Sequence, residues 1–377
     1  MRPSTTEPFG RFLLLTAITV TGCGSPRPVG SDGQRTDGPL DLDTQQAEAA
    51  ADGPKSDRVG KGPKVAFLLL EGAQNVGGLL AFDPVMGTEL ATFSVSLNGG
   101  DFDMPADGSR LVLANGESGE LHVFGVWQGK SVNFVPENMV DVGHASRQLA
   151  LHPTKDTAYV QVYDKIVPVD LKTMKAGSTI WEGSDGITEI GVSSGGDRAL
   201  ISTWMSGGAL YSVDPQTAQT AYSVANLGSI STFALSRDDM FAYCIVKWGN
   251  DLEVVKLDSN PRMIAKLPLP YHPVGLVVTH DNKELVAHGG VHIVRYPIKN
   301  GVPQAPGTTI ALSCSQTPQD NERLPVAIST DDRLVVAACR GEAKVALVDL
   351  EIGKESGVQS IASGTQVLGV QIRNAPE

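Results

Sequence analysis

Six times between residues 102 and 336 the chain repeats one phrase: an apolar run, a polar turn rich in Asp and Gly, and a second apolar run. It reads Phe102-Asp-Met-Pro-Ala-Asp-Gly-Ser-Arg-Leu-Val-Leu113, then Leu149-Ala-Leu-His-Pro-Thr-Lys-Asp-Thr-Ala-Tyr-Val160, then Ile190-Gly-Val-Ser-Ser-Gly-Gly-Asp-Arg-Ala-Leu-Ile201. Phe233-Ala-Leu-Ser-Arg-Asp-Asp-Met-Phe-Ala-Tyr-Cys244, Leu276-Val-Val-Thr-His-Asp-Asn-Lys-Glu-Leu-Val286 and Val326-Ala-Ile-Ser-Thr-Asp-Asp-Arg-Leu-Val-Val336 complete the series. The first residue after each turn is Leu111, Ala158, Ala199, Ala242, Leu285 and Leu334, so successive units are 47, 41, 43, 43 and 49 residues apart. From Lys64 onward no stretch sustains a 3.6-residue apolar period, and β-branched runs broken by turn signals replace it. A chain of this kind cannot bury one unit alone. It must stack the units against one another.

A period in the forties with four short strands per unit defines propeller blades. The third strand of most units ends on an Asp: Leu79-Leu-Ala-Phe-Asp83, Ile166-Val-Pro-Val-Asp170, Ala209-Leu-Tyr-Ser-Val-Asp214, Leu252-Glu-Val-Val-Lys-Leu-Asp258 and Val345-Ala-Leu-Val-Asp349. The body opens on a second strand, Val65-Ala-Phe-Leu-Leu-Leu70, and closes on an isolated one, Val367-Leu-Gly-Val-Gln-Ile372. Joined, these ends complete one blade and remove the open seam of an unclosed array. Innermost strands then begin near Gly100, Arg147, Thr188, Ser231, Val274, Leu324 and Val367. The expected fold is all-β: a seven-bladed β-propeller of four-stranded antiparallel blades, the first closed by the C-terminal strand. The recurring turn and the Asp-terminated third strand resemble the YVTN-type propeller repeat across residues 64–372. Only Ala106-Asp107-Gly108 keeps that repeat's Asp-Gly step, and the second and sixth blades depart from it at the third strand.

Residues 1–22 read as an export signal, with Arg2 and Arg11 preceding the apolar stretch Phe12-Leu-Leu-Leu-Thr-Ala-Ile-Thr-Val20. Nine residues are too few to span a bilayer, which takes about 20. Val20-Thr21-Gly22-Cys23 resembles the bacterial lipobox, which implies lipidation of Cys23 and a membrane held through that lipid. Gly24, rather than an acidic residue, favours the outer membrane in a Gram-negative envelope. Residues 23–63 carry the lipidated cysteine and a Gly-, Pro-, Asp- and Ser-rich tether without the apolar surface to fold. The propeller occupies 64–377.

Neither the net charge of −12 nor the scatter of Lys and Arg suits nucleic acid. Gly191-Val-Ser-Ser-Gly195 matches a hydrolase pattern, but Ser193 stands in a strand-to-strand turn rather than on a strand-to-helix elbow. His288 and His292 flank two glycines and lack a third ligand, so no metal, catalytic set or cofactor is expected. Cys314, after the sixth blade's fourth strand, and Cys339, ending the seventh blade's second strand, meet on one face as a disulfide candidate; Cys244 reads as a buried hydrophobe. The same face gathers Tyr163, Trp204 and Trp248, near Arg147, His272 and Arg340. That arc is the candidate ligand face for a protein, peptide or glycan. The leading expectation is a non-catalytic binding or scaffolding module of the cell envelope. The alternative is a lactonase-like hydrolase, because the His152-Pro153 turn resembles that of lactonase-like seven-bladed propellers.

Overall fold

The computed structural model describes residues 62–72, 76–97, 99–116, 118–143, 148–247, 250–316, 323–339, 341–361 and 365–376. Cys23 and the tether up to residue 61 lie outside these, as do Arg147, Trp248 and Arg340. The described residues form seven antiparallel sheets and no helix.

The first blade is made by both ends of the chain. Its innermost strand, Gln366–Asn374, pairs with Lys64–Glu71, and Val76–Asp83 and Thr88–Ser96 follow outward. In the second blade the order from the axis is Gly100–Asp103, Arg110–Asn115, Glu120–Gln128 and Ser131–Asp141. The fourth, fifth and seventh blades repeat it, with innermost strands Ile187–Val192, Ile230–Leu235 and Val326–Ile328. In the third and sixth blades the outermost strand is split. Lys175–Ala176 and Trp181–Glu182 pair separately with Lys165–Asp170, and Val302–Pro303 and Thr308–Ala311 with His292–Lys299. Pro303 and Pro306 have no amide hydrogen to give to a continuous ladder, which accounts for the break in the sixth blade.

Second and third strands are buried on both faces, as in Ala199–Thr203 and Leu334–Ala338, because each is sandwiched between the neighbouring blades. Outermost strands such as Lys354–Ser360 alternate exposed and half-buried residues instead. The apolar core is therefore seven clusters, one at each junction between adjacent blades. Phe67, Leu69, Phe102 and Phe124 fill the first–second junction; Phe82, Val336 and Val370 belong to the seventh–first. The ring closes by side-chain packing as well as by the shared blade.

Candidate functional site

The site is the central channel, and the repeated turn builds one of its mouths. In four blades the innermost strand ends on a buried hydroxyl: Ser193, Ser236, Thr279 and Ser329. Each donates to an Asp in its own turn (Asp197, Asp238, Asp281 and Asp331, at 2.6–2.8 Å) and accepts the N–H that opens the second strand. Ser193 is thus occupied as a turn fastener and is fully buried. His152 holds this place in the third blade, its Nδ1 accepting the N–H groups of Thr154 and Lys155, both at 3.1 Å. Burial above all, and then Lys155, lowers its pKa, which keeps the ring neutral as an acceptor must be. The His-Pro turn is a structural variant of the hydroxyl turn.

Three residues after the hydroxyl, the turn reaches back to the preceding blade. Asp239 accepts Ser194 N at 2.7 Å, Asn282 accepts Arg237 N at 2.7 Å, and Asp332 accepts His280 N at 2.8 Å. All three acceptors have φ near +58°, a conformation Asp and Asn tolerate better than most residues. In the fourth blade the same position is Gly196, because a Cβ there would lie 2.2 Å from the His152 ring. The residues just after Ser236, Thr279 and Ser329, and the one after His152, reach the mouth. Pro153, Arg237, His280 and Thr330 line a cavity of about 840 Å³ there, together with Arg373 from the closing strand.

Inside the channel, acidic side chains stitch one innermost strand to the next. Asp101 accepts Leu149 N at 3.3 Å and Asp103 accepts Leu151 N at 3.0 Å. Glu189 accepts Phe233 N at 2.8 Å and the Thr232 hydroxyl. At the opposite mouth Arg323 spans the channel: Nη1 donates to Gln148 at 2.9 Å and Nη2 to Glu189 at 2.6 Å. Asp101 lies in the same recess, its carboxyl pushed up to about 7 by burial, against the pull of Arg323. The recess, about 270 Å³, is walled by Gly100, Asp101, Gln148, Arg323, Gly341 and Gln366, among others. Cys339 also lines it, joined to Cys314 with Cα atoms 5.3 Å apart. The remaining thiol among the described residues, Cys244, is buried, and burial pushes its pKa up.

Of the aromatic arc, Tyr163 stands in the turn between Thr157–Val162 and Lys165–Asp170 with φ 56° and 60% of its surface exposed. Trp204 lies half-buried against Gly186, with the Lys247 ammonium 5.1 Å from its ring centroid. His272 is half-buried on the connection to Gly275–Val278. Among the described residues no three His, Cys, Asp or Glu side chains are grouped to hold a metal ion. His288 is buried with a pKa pushed down to about 4, chiefly by burial, and His292 meets Tyr271 edge-on. Sequence reasoning missed Arg237, His280, Arg323 and Arg373. For the first two the signal was present: both follow the Ser or Thr of the repeated turn.

No family model matches the chain, and no curated protein does. Solved structures do. A functionally unknown protein from Desulfotomaculum acetoxidans superposes with a TM-score of 0.71 at 12% identity, covering 83% of this chain and 99% of that one. The periplasmic gluconolactonase of Pseudomonas aeruginosa gives 0.64 at 13% identity, covering 82% and 100%. A hypothetical selenium-binding protein from Sulfolobus tokodaii gives 0.66 at 11%, covering 84% and 96%. At such identities the likeness establishes the fold and leaves the chemistry to the site.

Proposed function

We propose that this chain is an envelope lipoprotein, anchored through Cys23, whose propeller is a non-catalytic binding module. The recess around Arg323 would face a protein, peptide or glycan. One observation carries this reading: the Arg323 bridge from the seventh blade to Gln148 and Glu189 floors the mouth with a fixed, satisfied ion pair. The acids behind it are committed to backbone N–H groups of neighbouring strands. Groups so committed hold a platform rigid.

Lactone hydrolysis is the second reading. It is favoured by Asp101, whose carboxyl titrates near neutrality beside a guanidinium. The purified body should hydrolyse glucono-δ-lactone no faster than buffer; hydrolysis that is lost in Asp101→Asn would replace the first reading by the second. In cells, Cys23→Ser should abolish radioactive palmitate labelling and release the protein from membranes. Unchanged labelling would remove the anchor from the proposal.

A further inference from the structure

The turn-side mouth holds two guanidinium groups that sit near carboxylates, Arg237 near Asp332 and Arg373 near Asp103 and Asp107, yet make no direct ion pair with them. Among the described residues neither the Arg237 nor the Arg373 side chain has a carboxylate within 4 Å, and the hydrogen bonds these two side chains make go to backbone carbonyls or to His280. Arg373 is held by three carbonyls, of Pro105, Ile372 and Met104. Arg237 uses only Nη2, toward Val278 O at 3.3 Å and His280 Nε2 at 3.4 Å, so its Nε and Nη1 make no protein hydrogen bond. His280 gives its Nδ1 hydrogen to Asp332 at 2.7 Å, which leaves Nε2 as the acceptor that orients Arg237. The carboxylates around the same cavity are already satisfied. Asp331 pairs with Lys64, Asp281 with Lys283, Asp332 with two backbone N–H groups and His280, and Asp103 with Leu151 N, Met104 N and Gln371.

We propose that this mouth is a binding site for a small organic molecule carrying a terminal oxyanion, a phosphate ester or a carboxylate, held by Arg237 and Arg373. Guanidinium forks match such groups in geometry and charge. The cavity of about 840 Å³ suits a ligand of sugar size or somewhat larger, and Leu151, Val277, Ile328 and Val370 supply apolar wall for its body. Burial lowers the pKa of both arginines by more than Asp332 beside Arg237, or Asp103 and Asp107 beside Arg373, restores, a cost that a bound anion would relieve. The site lies at the mouth opposite Arg323 and stands whether or not that recess serves a partner.

Calorimetric titration of the folded propeller at low salt, with glucose 6-phosphate, gluconate and glucose, tests it. The phosphate or the carboxylate should bind with a Kd below about 1 mM, the stronger of the two naming the oxyanion, while neutral glucose gives no heat. Arg237→Gln should weaken binding at least tenfold with little change in melting temperature, since the side-chain bonds it gives up, to Val278 O and His280 Nε2, are long ones of 3.3 and 3.4 Å. Lys354→Gln, on the exposed outermost strand of the seventh blade, should leave the affinity as it was. No heat from either anion at 10 mM, equal binding of glucose, or an unaffected Arg237→Gln would each overturn the proposal.

Discussion

Asp101 shows how one side chain can serve the fold and strain it at the same pH. Its two oxygens accept Phe102 N and Leu149 N, so it ties the second blade to the third. Burial raises its pKa to about 7, so the folded protein holds that proton more tightly than the unfolded chain, whose Asp titrates near 4. The sign follows: ionising Asp101 between pH 4 and 7 subtracts from stability, and above 7 the loss is complete. Asp101→Asn cannot titrate. Although it forfeits one acceptor at every pH, its stability relative to the parent should rise by roughly 2 kcal/mol from pH 5 to pH 8, after allowing for channel water. Urea unfolding at the two pH values measures this; a constant difference would mean the carboxyl titrates as in solution. The opposite case is His288, whose depressed pKa leaves its stabilisation whole above 6.5 and removes it as pH falls toward 4.

At the scale of the element, the hairpin turn is the unit that builds the ring. Its hydroxyl fixes the turn, the third residue beyond it clamps the preceding blade, and in the fifth, sixth and seventh blades the residue just after the hydroxyl faces the mouth. Asp239 makes the fullest clamp, taking Ser194 N at 2.9 and 2.7 Å and the Ser194 hydroxyl at 2.6 Å, from a left-handed φ of 58°. Asp239→Ala should cost about 2 kcal/mol, and Asp239→Gly about 1 kcal/mol less than that, because glycine relieves the backbone but not the lost acceptor. Denaturant midpoints of the two variants separate the terms, and equal midpoints would show that the left-handed turn stores no strain. The turn was legible in sequence as Ser-x-Asp-Asp or Thr-x-Asp-Asn. That its third residue crosses to another blade was not, since the pairing joins residues 45 to 52 apart.

Across the whole molecule, closure is carried by the strand Gln366–Asn374. It supplies the first blade's ladder with Lys64–Glu71, packs Val367, Val370 and Ile372 into the seventh–first junction, and brings Arg373 to the mouth. A chain ending at residue 364 should lose its cooperative thermal transition and bind a hydrophobic dye, because an unpaired Lys64–Glu71 edge and two core clusters are exposed together. A retained sharp transition would show that six blades and a partial one are self-sufficient. Cys314–Cys339 ties the sixth blade to the seventh but cannot substitute for that strand, which lies beyond both cysteines.

The sequence by itself determined the ring: repeats 41 to 49 residues apart count the blades, and the unmatched strands at Val65 and Val367 place the closure. These were readable because blade strands are local, and their period survives without knowledge of neighbours. It also placed Cys314 and Cys339 on one face, from blade position alone. Only the tertiary structure decided what the channel offers. Arg237 and Arg373 are 136 residues apart in the chain, and Arg323 meets Glu189 across 134. No periodicity encodes which charges meet at an axis that all seven blades share. The same limit explains His152: its Nδ1 acts as a turn acceptor because a glycine in the next blade makes room for the ring.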